Sequence, residues 1–461
     1  MNQSLITEPL GLFGWSHLEP VILAALASES PMLLIGKHGS AKSFILERLA
    51  EALGLEFRCY NASLINYDDL VGIPVPVKNN TALDYISHPS AIWDAEVVFI
   101  DELNRTKPEL QNKLFPIIHE KRVQGIPLNK LRYRWAAMNP PPSEDEDEEL
   151  AYLGAMPLDP ALADRFPFLI QVPTWEALSE EEKQQMLLDN HLGRHEFPVS
   201  ISKLIEKTKE RYQALLATKE ATFARYIITL MGLLQNTFGY ISARRATMLE
   251  DTLLYLYAAS EVLEGKASFE DVAYLHLQNT LPQVAQRDVD LTILLGICQQ
   301  AIQLSSVEDH LEKELLLTGD PIRRLKEVIL HKNELSIALI NDIIPASLSE
   351  IEDEKKRRAM ALFAYLAFRT NSKIQASVME TLAQEVRPII ETKTHDSLEF
   401  LKNKKIADTA TSLLEDSEHP APCQGYLRNY IYSFLPDGFA DGDSVRSHIN
   451  FFIQTWEELG L

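Results

Sequence analysis

Ile35-Gly36-Lys37-His38-Gly39-Ser40-Ala41-Lys42-Ser43 is the stretch on which the reading of this chain turns. The apolar run Met32-Leu33-Leu34-Ile35 stands directly before it and reads as a buried parallel strand. Phe44, Ile45, Leu46, Leu49 and Leu53 follow at helical spacing up to Gly54, a helix-ending position. Strand, glycine loop, Lys-Ser and helix together form an arrangement that holds nucleotide phosphates. Glycines let backbone N–H groups turn inward onto an anion, and the helix N-terminus adds partial positive charge. In that arrangement Lys42 reaches the β- and γ-phosphates and the Ser43 hydroxyl ligates Mg²⁺. The usual G-x-x-x-x-G-K-[ST] pattern has glycine where this chain has Ala41, so the loop alone also admits a plain turn between strand and helix.

A second stretch bears on that choice. Val97-Val98-Phe99-Ile100-Asp101-Glu102 is an apolar run ending in two acids, which reads as a buried strand with carboxylates at its C-terminal tip. Open α/β sheets bind ligands at that edge. Asp101 is then placed to hold Mg²⁺, and Glu102 to orient and polarise an attacking water. Paired acids after a core strand also occur on ordinary surfaces. Here one strand, Leu55 to Tyr60, separates them from the first loop, and that order favours the chemical reading.

Arg134 to Asn139 reads as another buried strand, its terminal Asn139 either a turn former or a sensor of the γ-phosphate. Leu158 to Phe166 is a short helix that ends with Arg165, and Leu169 to Pro173 brings the strand count to about five. Asp68 to Pro74 leads into an alternating stretch as far as Ile92, expected to be an inserted β-hairpin. A second, short hairpin is expected around Gln124-Gly125, after a helix from Leu110 to Arg122. The acids Glu144 to Glu149 read as a solvated loop.

From Trp175 onward the pattern is helical. Segments at Ser179–Asn190, Ser200–Leu216, Thr222–Asn236, Ser242–Leu263 and Phe269–Leu281 precede Leu291–Leu304, Val307–Leu317, Pro321–His331, Asp353–Thr370, Gln375–Ile390 and Tyr426–Phe434. The Gly438 to Asp443 cluster reads as a loop. Domains are therefore expected at 1–175 (α/β nucleotide-binding core), 176–285 (helical lid) and 286–461 (helical accessory part).

Composition narrows the function classes. With 44 basic and 66 acidic residues the formal charge is −22, which disfavours a generic nucleic-acid binder, because phosphate-backbone affinity rests on Lys and Arg. The three cysteines, Cys59, Cys298 and Cys423, lie far apart and fit neither a metal pattern nor a disulfide framework. With no apolar run long enough to span a bilayer and no signal-like Met1-Asn2-Gln3-Ser4 start, a cytoplasmic location is expected.

Several motifs now agree in type and order, and the chain resembles an AAA+ ATPase of the MoxR kind. Gly36 to Ser43 is similar to that family's Walker A, in which Ala before the lysine is frequent. Phe99-Ile100-Asp101-Glu102-Leu103-Asn104-Arg105 resembles Walker B with its following Asn-Arg, and Ala136-Ala137-Met138-Asn139-Pro140 resembles sensor 1. Leu162-Ala163-Asp164-Arg165-Phe166 resembles the arginine-finger segment, and Ser242-Ala243-Arg244 resembles sensor 2, with Arg245 as the alternative. Asp69-Leu70-Val71-Gly72 and the hairpin after it match the helix-2 insert of the clade.

The resemblance covers roughly residues 8–285 and implies an α/β AAA+ P-loop domain, an all-α lid and ATP with Mg²⁺ as cofactors. Its nucleotide-binding residues are Gly36, His38, Gly39, Ser40, Ala41, Lys42 and Ser43, and its metal ligands Ser43 and Asp101. Glu102, Asn139, Arg165 and Arg244 are then the catalytic residues. It further implies a homo-oligomeric ring, commonly a hexamer, that acts as a chaperone on protein clients, often with a partner bearing a von Willebrand factor A domain. Two other classes stand beside this one: a nucleic-acid-directed AAA+ motor, and an ATP-gated scaffold with little turnover.

Overall fold

The computed structural model describes residues 4–76, 83–86, 88–106, 108–141, 158–189, 199–218, 221–307, 310–391, 404–415, 421–435 and 439–461. The acidic run 144–149 lies outside the described residues. The chain divides into two compact units, Met1–Ser306 and Val307–Leu461.

In the first unit, helix α1 (Glu19–Ser28) leads into β1 (Met32–Ile35), α2 (Lys42–Leu53) and β2 (Phe57–Asn61). Then come α3 (Tyr67–Val71), β3 (Ile73–Pro76), β4 (Leu83–Ile86), β5 (Val97–Asp101) and α4 (Pro108–Glu120). They are followed by β6 (Arg122–Val123), β7 (Ile126–Pro127), β8 (Tyr133–Met138), α5 (Pro160–Ala163) and β9 (Phe168–Gln171). Five strands form one sheet in the order β2-β5-β8-β1-β9. Every pairing in it is parallel. The apolar runs dictate this arrangement: β1 is buried throughout and β5 along Val97–Ile100, as strands covered by helices on both faces must be.

Register decides where the chemistry gathers. Ile35 pairs with both Met138 and Gln171, and Asn61 pairs with Asp101, so the strands end along one edge of the sheet. Both expected hairpins are present as antiparallel pairs, β3 with β4 and β6 with β7. Gln124 (φ 48°) and Gly125 (φ 84°) are both left-handed, the geometry a tight two-residue hairpin turn requires.

The helical part of this unit comprises α6 (Glu180–Asp189), α7 (Ile201–Thr218), α8 (Ala221–Phe238), α9 (Ala243–Glu264), α10 (Phe269–Gln278) and α11 (Leu291–Ser305). Helix α1 packs against α7 and α9, and α11 packs against α8 and α10. Leu294, Ile297, Cys298 and Ala301 of α11 are buried in that contact, so the first compact unit continues past residue 285 to Ser306.

The second unit is built from α12 (His310–Leu317), α13 (Pro321–Leu330), α14 (Ile337–Glu350), α15 (Glu354–Phe368), α16 (Ala376–Ile390), α17 (Lys404–Glu415), α18 (Ala421–Phe434) and α19 (Gly442–Leu459). Its core holds an aromatic group in which Phe452 lies 4.9 Å from Phe363 and 5.0 Å from Tyr430 between ring centres. Helices α14, α17 and α19 were not expected from periodicity. Pro345 sits inside α14, yet Ile340, Ile343, Ile344 and Leu348 are buried around it. Of the Gly438–Asp443 cluster read as a loop, Gly438 lies outside the described residues and Gly442 already begins α19, with the Asp441 carboxylate accepting from the Ser444 N–H as its cap. Among the described residues no helix is long and apolar enough to cross a membrane.

Candidate nucleotide site

The glycine loop runs from the tip of β1 to the start of α2. The Gly36 N–H donates to Met138 O at the end of β8 (3.2 Å), which ties the loop to the neighbouring strand tip. A Cβ at Gly36 would stand 2.1 Å from the Val172 side chain, so no larger residue fits there. Ala41 adopts φ 61° and ψ 19°, a left-handed conformation that disfavours a β-carbon by about 1 kcal/mol. It is also the residue before α2, and no side chain caps the helix. The first-turn N–H groups of α2 thus lack a side-chain acceptor, which suits an anion.

Lys42 is buried, and its Nζ donates to Gly36 O (2.6 Å) and Lys37 O (2.8 Å). Burial pushes its ammonium pKa down, and the nearby Asp101 and Glu102 carboxylates oppose that shift. The Ser43 hydroxyl donates to Asp101 Oδ2 at 2.9 Å, which joins two residues 58 positions apart. His38 and Gly39 are exposed at the outer turn of the loop, with Ser40 partly covered beside them. The Ser40 hydroxyl donates to Lys37 O at 2.6 Å.

Glu102 is left-handed (φ 55°), an uncommon state for a residue with a long side chain. Its N–H donates to Asp101 Oδ1 (2.8 Å). One carboxylate oxygen lies 2.9 Å from the Ser63 hydroxyl, and the other is 3.7 Å from Arg105 Nη1. Ser63 also faces Asn61 Oδ1 at 2.6 Å, so its single hydroxyl proton serves one acceptor at a time. Residue type and spacing do not single out Ser63, which meets Glu102 because β2 and β5 are neighbours. Asn139 is buried one residue past β8, and its carbonyl accepts from the Asn104 amide (3.2 Å). This bond couples the segment after β5 to the β8 tip.

The two arginines at the start of α9 separate cleanly. Arg244 is exposed, whereas Arg245 is 1% exposed. Arg245 Nε pairs with Asp164 at 3.2 Å and its Nη1 donates to Phe166 O at 3.0 Å. Burial lowers its pKa to about 10 against the opposing pull of Asp164. Arg245 therefore bolts α9 to the segment after α5. Arg165 lies between those two anchor points, and its guanidinium sits 5.9 Å from the Phe115 ring. Among the described residues its buried Nε and Nη1 have no hydrogen-bond partner.

Next to the loop a cavity of about 690 Å³ opens, lined among others by Leu12, Phe13, Ala41, Phe44, Arg48 and Trp175. A mostly apolar hollow beside an anion-binding helix start is shaped for a planar ring attached to a phosphate chain. Among the described residues no group of His, Cys, Asp and Glu forms a metal cluster. The Ser43 and Asp101 oxygens suit a hard cation that keeps most of its ligands from phosphate and water.

Residues 31–166 match the family model described as the AAA domain of the dynein-related subfamily. That span holds Gly36 to Ser43, Asp101, Glu102, Asn139 and Arg165, and this α/β segment has the fold of an AAA domain. Uncharacterized protein YeaC of Bacillus subtilis (strain 168) is 28% identical over 156 residues, which is 32% of this chain and 45% of that protein. The chain thus spans less than half of the length of that relative. The crystal structure of a "putative ATPase" from Cytophaga hutchinsonii aligns with 59% of this chain and 85% of its own, at a TM-score of 0.42 and 18% identity. At that score the likeness carries no weight for function.

Proposed function

We propose that this chain hydrolyses ATP with Mg²⁺ as a MoxR-type AAA+ ring, commonly a hexamer in the proteins it resembles, and remodels protein assemblies in the cytoplasm. The single observation that carries the reading is the Ser43–Asp101 contact, with Lys42 and Glu102 adjacent to it. Lys42 would exchange its loop carbonyls for phosphate oxygens, and Ser43 with Asp101 would hold Mg²⁺. Bound Mg²⁺ neutralises charge on the β- and γ-phosphates. Glu102 would orient the attacking water and Asn139 would meet the γ-phosphate.

The Nε and Nη1 of half-buried Arg165, which have no hydrogen-bond partner among the described residues, support a site completed between subunits, since such donors call for an acceptor from outside. Arg244, exposed at the start of α9, is the proposed lid arginine. The formal charge of −22 favours protein partners over nucleic acid, and a von Willebrand factor A domain protein is the proposed partner class. A core at 1–175, a helical lid beginning at 176 and an accessory part serving partner choice are likewise proposed; the packing of α11 on α8 and α10 favours placing the end of the lid at Ser306 rather than at 285.

Glu102→Gln tests the central assignment. The variant is expected to bind ATP and to stop turning it over, and its capture from cells with ATP present should recover a protein client. Hydrolysis at the wild-type rate would refute the role of Glu102. Turnover per subunit that stays constant on dilution to the monomer would refute the shared site.

A further inference from the structure

The segment before α1 forms one wall of the cavity beside the loop, through Pro9, Leu10, Gly11, Leu12, Phe13 and Trp15. Among the described residues its regular elements are two short 3-10 turns, Glu8–Leu10 and Ser16–Leu18, and between them the chain passes through Gly11 at φ 83° and Gly14 at φ 78°. Such a stretch has little rigidity of its own. Gly14 approaches the opposite wall so closely that a Cβ would stand 2.0 Å from Leu178 Cδ2.

What secures the far end of this segment is a carboxylate. Glu19, at the first position of α1, is 5% exposed. Its oxygens accept from the N–H groups of Leu5 (3.0 Å), Ile6 (2.9 Å) and Thr7 (2.6 Å). They also accept from the hydroxyls of Thr7 (2.9 Å) and Ser4. Three successive backbone N–H groups around one anion form a nest, and a buried carboxylate in the first turn of a helix gains from the helix dipole. The Thr7–Glu19 bond spans 12 residues, so it closes a loop whose outer edge is the cavity wall.

We propose that Glu19 is a positioning residue for recognition of the nucleotide base and ribose, acting by pinning this wall against the cavity. It rests on the reading of the site as nucleotide-binding and adds the device that shapes its base-facing side. Glu19 lies outside the residues that would touch phosphate. Its loss should therefore weaken whatever the wall contacts and spare whatever the loop contacts. Glu19→Gln keeps the size of the side chain but turns an NH₂ group toward donors, which frees the wall to move.

The test uses the full chain and two probes, Mg-ATP and Mg-tripolyphosphate, with dissociation constants measured by competition calorimetry. The expected result is a loss of about tenfold or more in ATP affinity for Glu19→Gln, with tripolyphosphate affinity changed less than about twofold. Thr7→Val, which removes one donor to the carboxylate, should shift the same ratio in the same direction by less. It carries the test if Glu19→Gln does not fold. Equal losses for both probes, or an unchanged ATP affinity, would overturn the positioning role while leaving the nucleotide site standing. A wild-type chain that binds neither probe would instead overturn the nucleotide reading, and this inference with it.

Discussion

Replacing each of the two neighbouring arginines of α9 by leucine should produce opposite kinds of damage. Arg245→Leu removes the partner of Asp164 and the donor to Phe166 O, within an environment only 1% exposed. Removing one member of a buried ion pair typically destabilises by about 3–5 kcal/mol, because the other charge is left behind. Asp164 has a side chain 21% exposed and keeps the Ser242 hydroxyl at 3.1 Å, so water and that hydroxyl relieve part of the stranded charge. The lower end, about 3 kcal/mol, is the expected loss, which corresponds to a midpoint shift of about 1 M urea for an m-value near 3 kcal/mol/M. Arg244→Leu changes an exposed side chain and should leave stability within about 0.5 kcal/mol. It should nevertheless lower kcat by about tenfold or more if Arg244 contacts the nucleotide, a barrier change on the order of 1.4 kcal/mol. Urea unfolding followed by tryptophan fluorescence, paired with steady-state ATP hydrolysis, reads both effects. A loss below about 1 kcal/mol for Arg245→Leu would refute the bolt between α9 and the Arg165 segment. Full activity in Arg244→Leu would refute its catalytic role.

Lys42→Ala should abolish nucleotide binding in an equilibrium assay while leaving the urea midpoint nearly unchanged; retained ATP binding would refute the loop assignment. His276 is fully buried, and burial, reinforced by the charge of Arg245, pushes its pKa down from 6.5 to about 3. A His neutral in the fold gains a proton on unfolding, so its contribution is complete above pH 6.5 and is lost as pH falls towards 3, by about 2 kcal/mol at pH 5. The stability gap between wild type and His276→Gln should therefore narrow by about 2 kcal/mol from pH 8 to pH 5; a gap independent of pH would exclude His276 as the source. Ending the chain after residue 306 should preserve the first unit, whereas ending it after residue 286 removes α11 and uncovers its contacts on α8 and α10. Equal melting temperatures for the two truncations would count against that packing.

Much of the α/β half can be read from residues alone, because its signals are local. Met32–Ile35 and Val97–Ile100 are uninterrupted apolar runs, the composition that a strand buried on both faces favours. Lys42-Ser43 and Asp101-Glu102 stand at strand and helix ends where backbone polarity favours ligands. The order of these motifs along the chain carries the AAA resemblance, and their presence in one matched segment agrees with it.

Helices α14, α17 and α19 escaped periodicity, the first and last for a physical reason. Pro345 lowers the intrinsic propensity of α14, and Gly442 opens α19 inside a Gly/Asp-rich stretch, so burial against other helices outweighs the local signal in those two; α17 contains neither residue type and has no such account. Cross-chain partnerships were equally invisible. Ser63 meets Glu102 through adjacent strands, Arg245 rather than Arg244 turns inward onto Asp164, and Glu19 gathers the N–H groups of Leu5, Ile6 and Thr7. Residue type and spacing determined which residues are candidates for the proposed chemistry. Which side chains hold that chemistry in place was decided by packing, since hydrogen bonds between distant segments leave no period in the sequence.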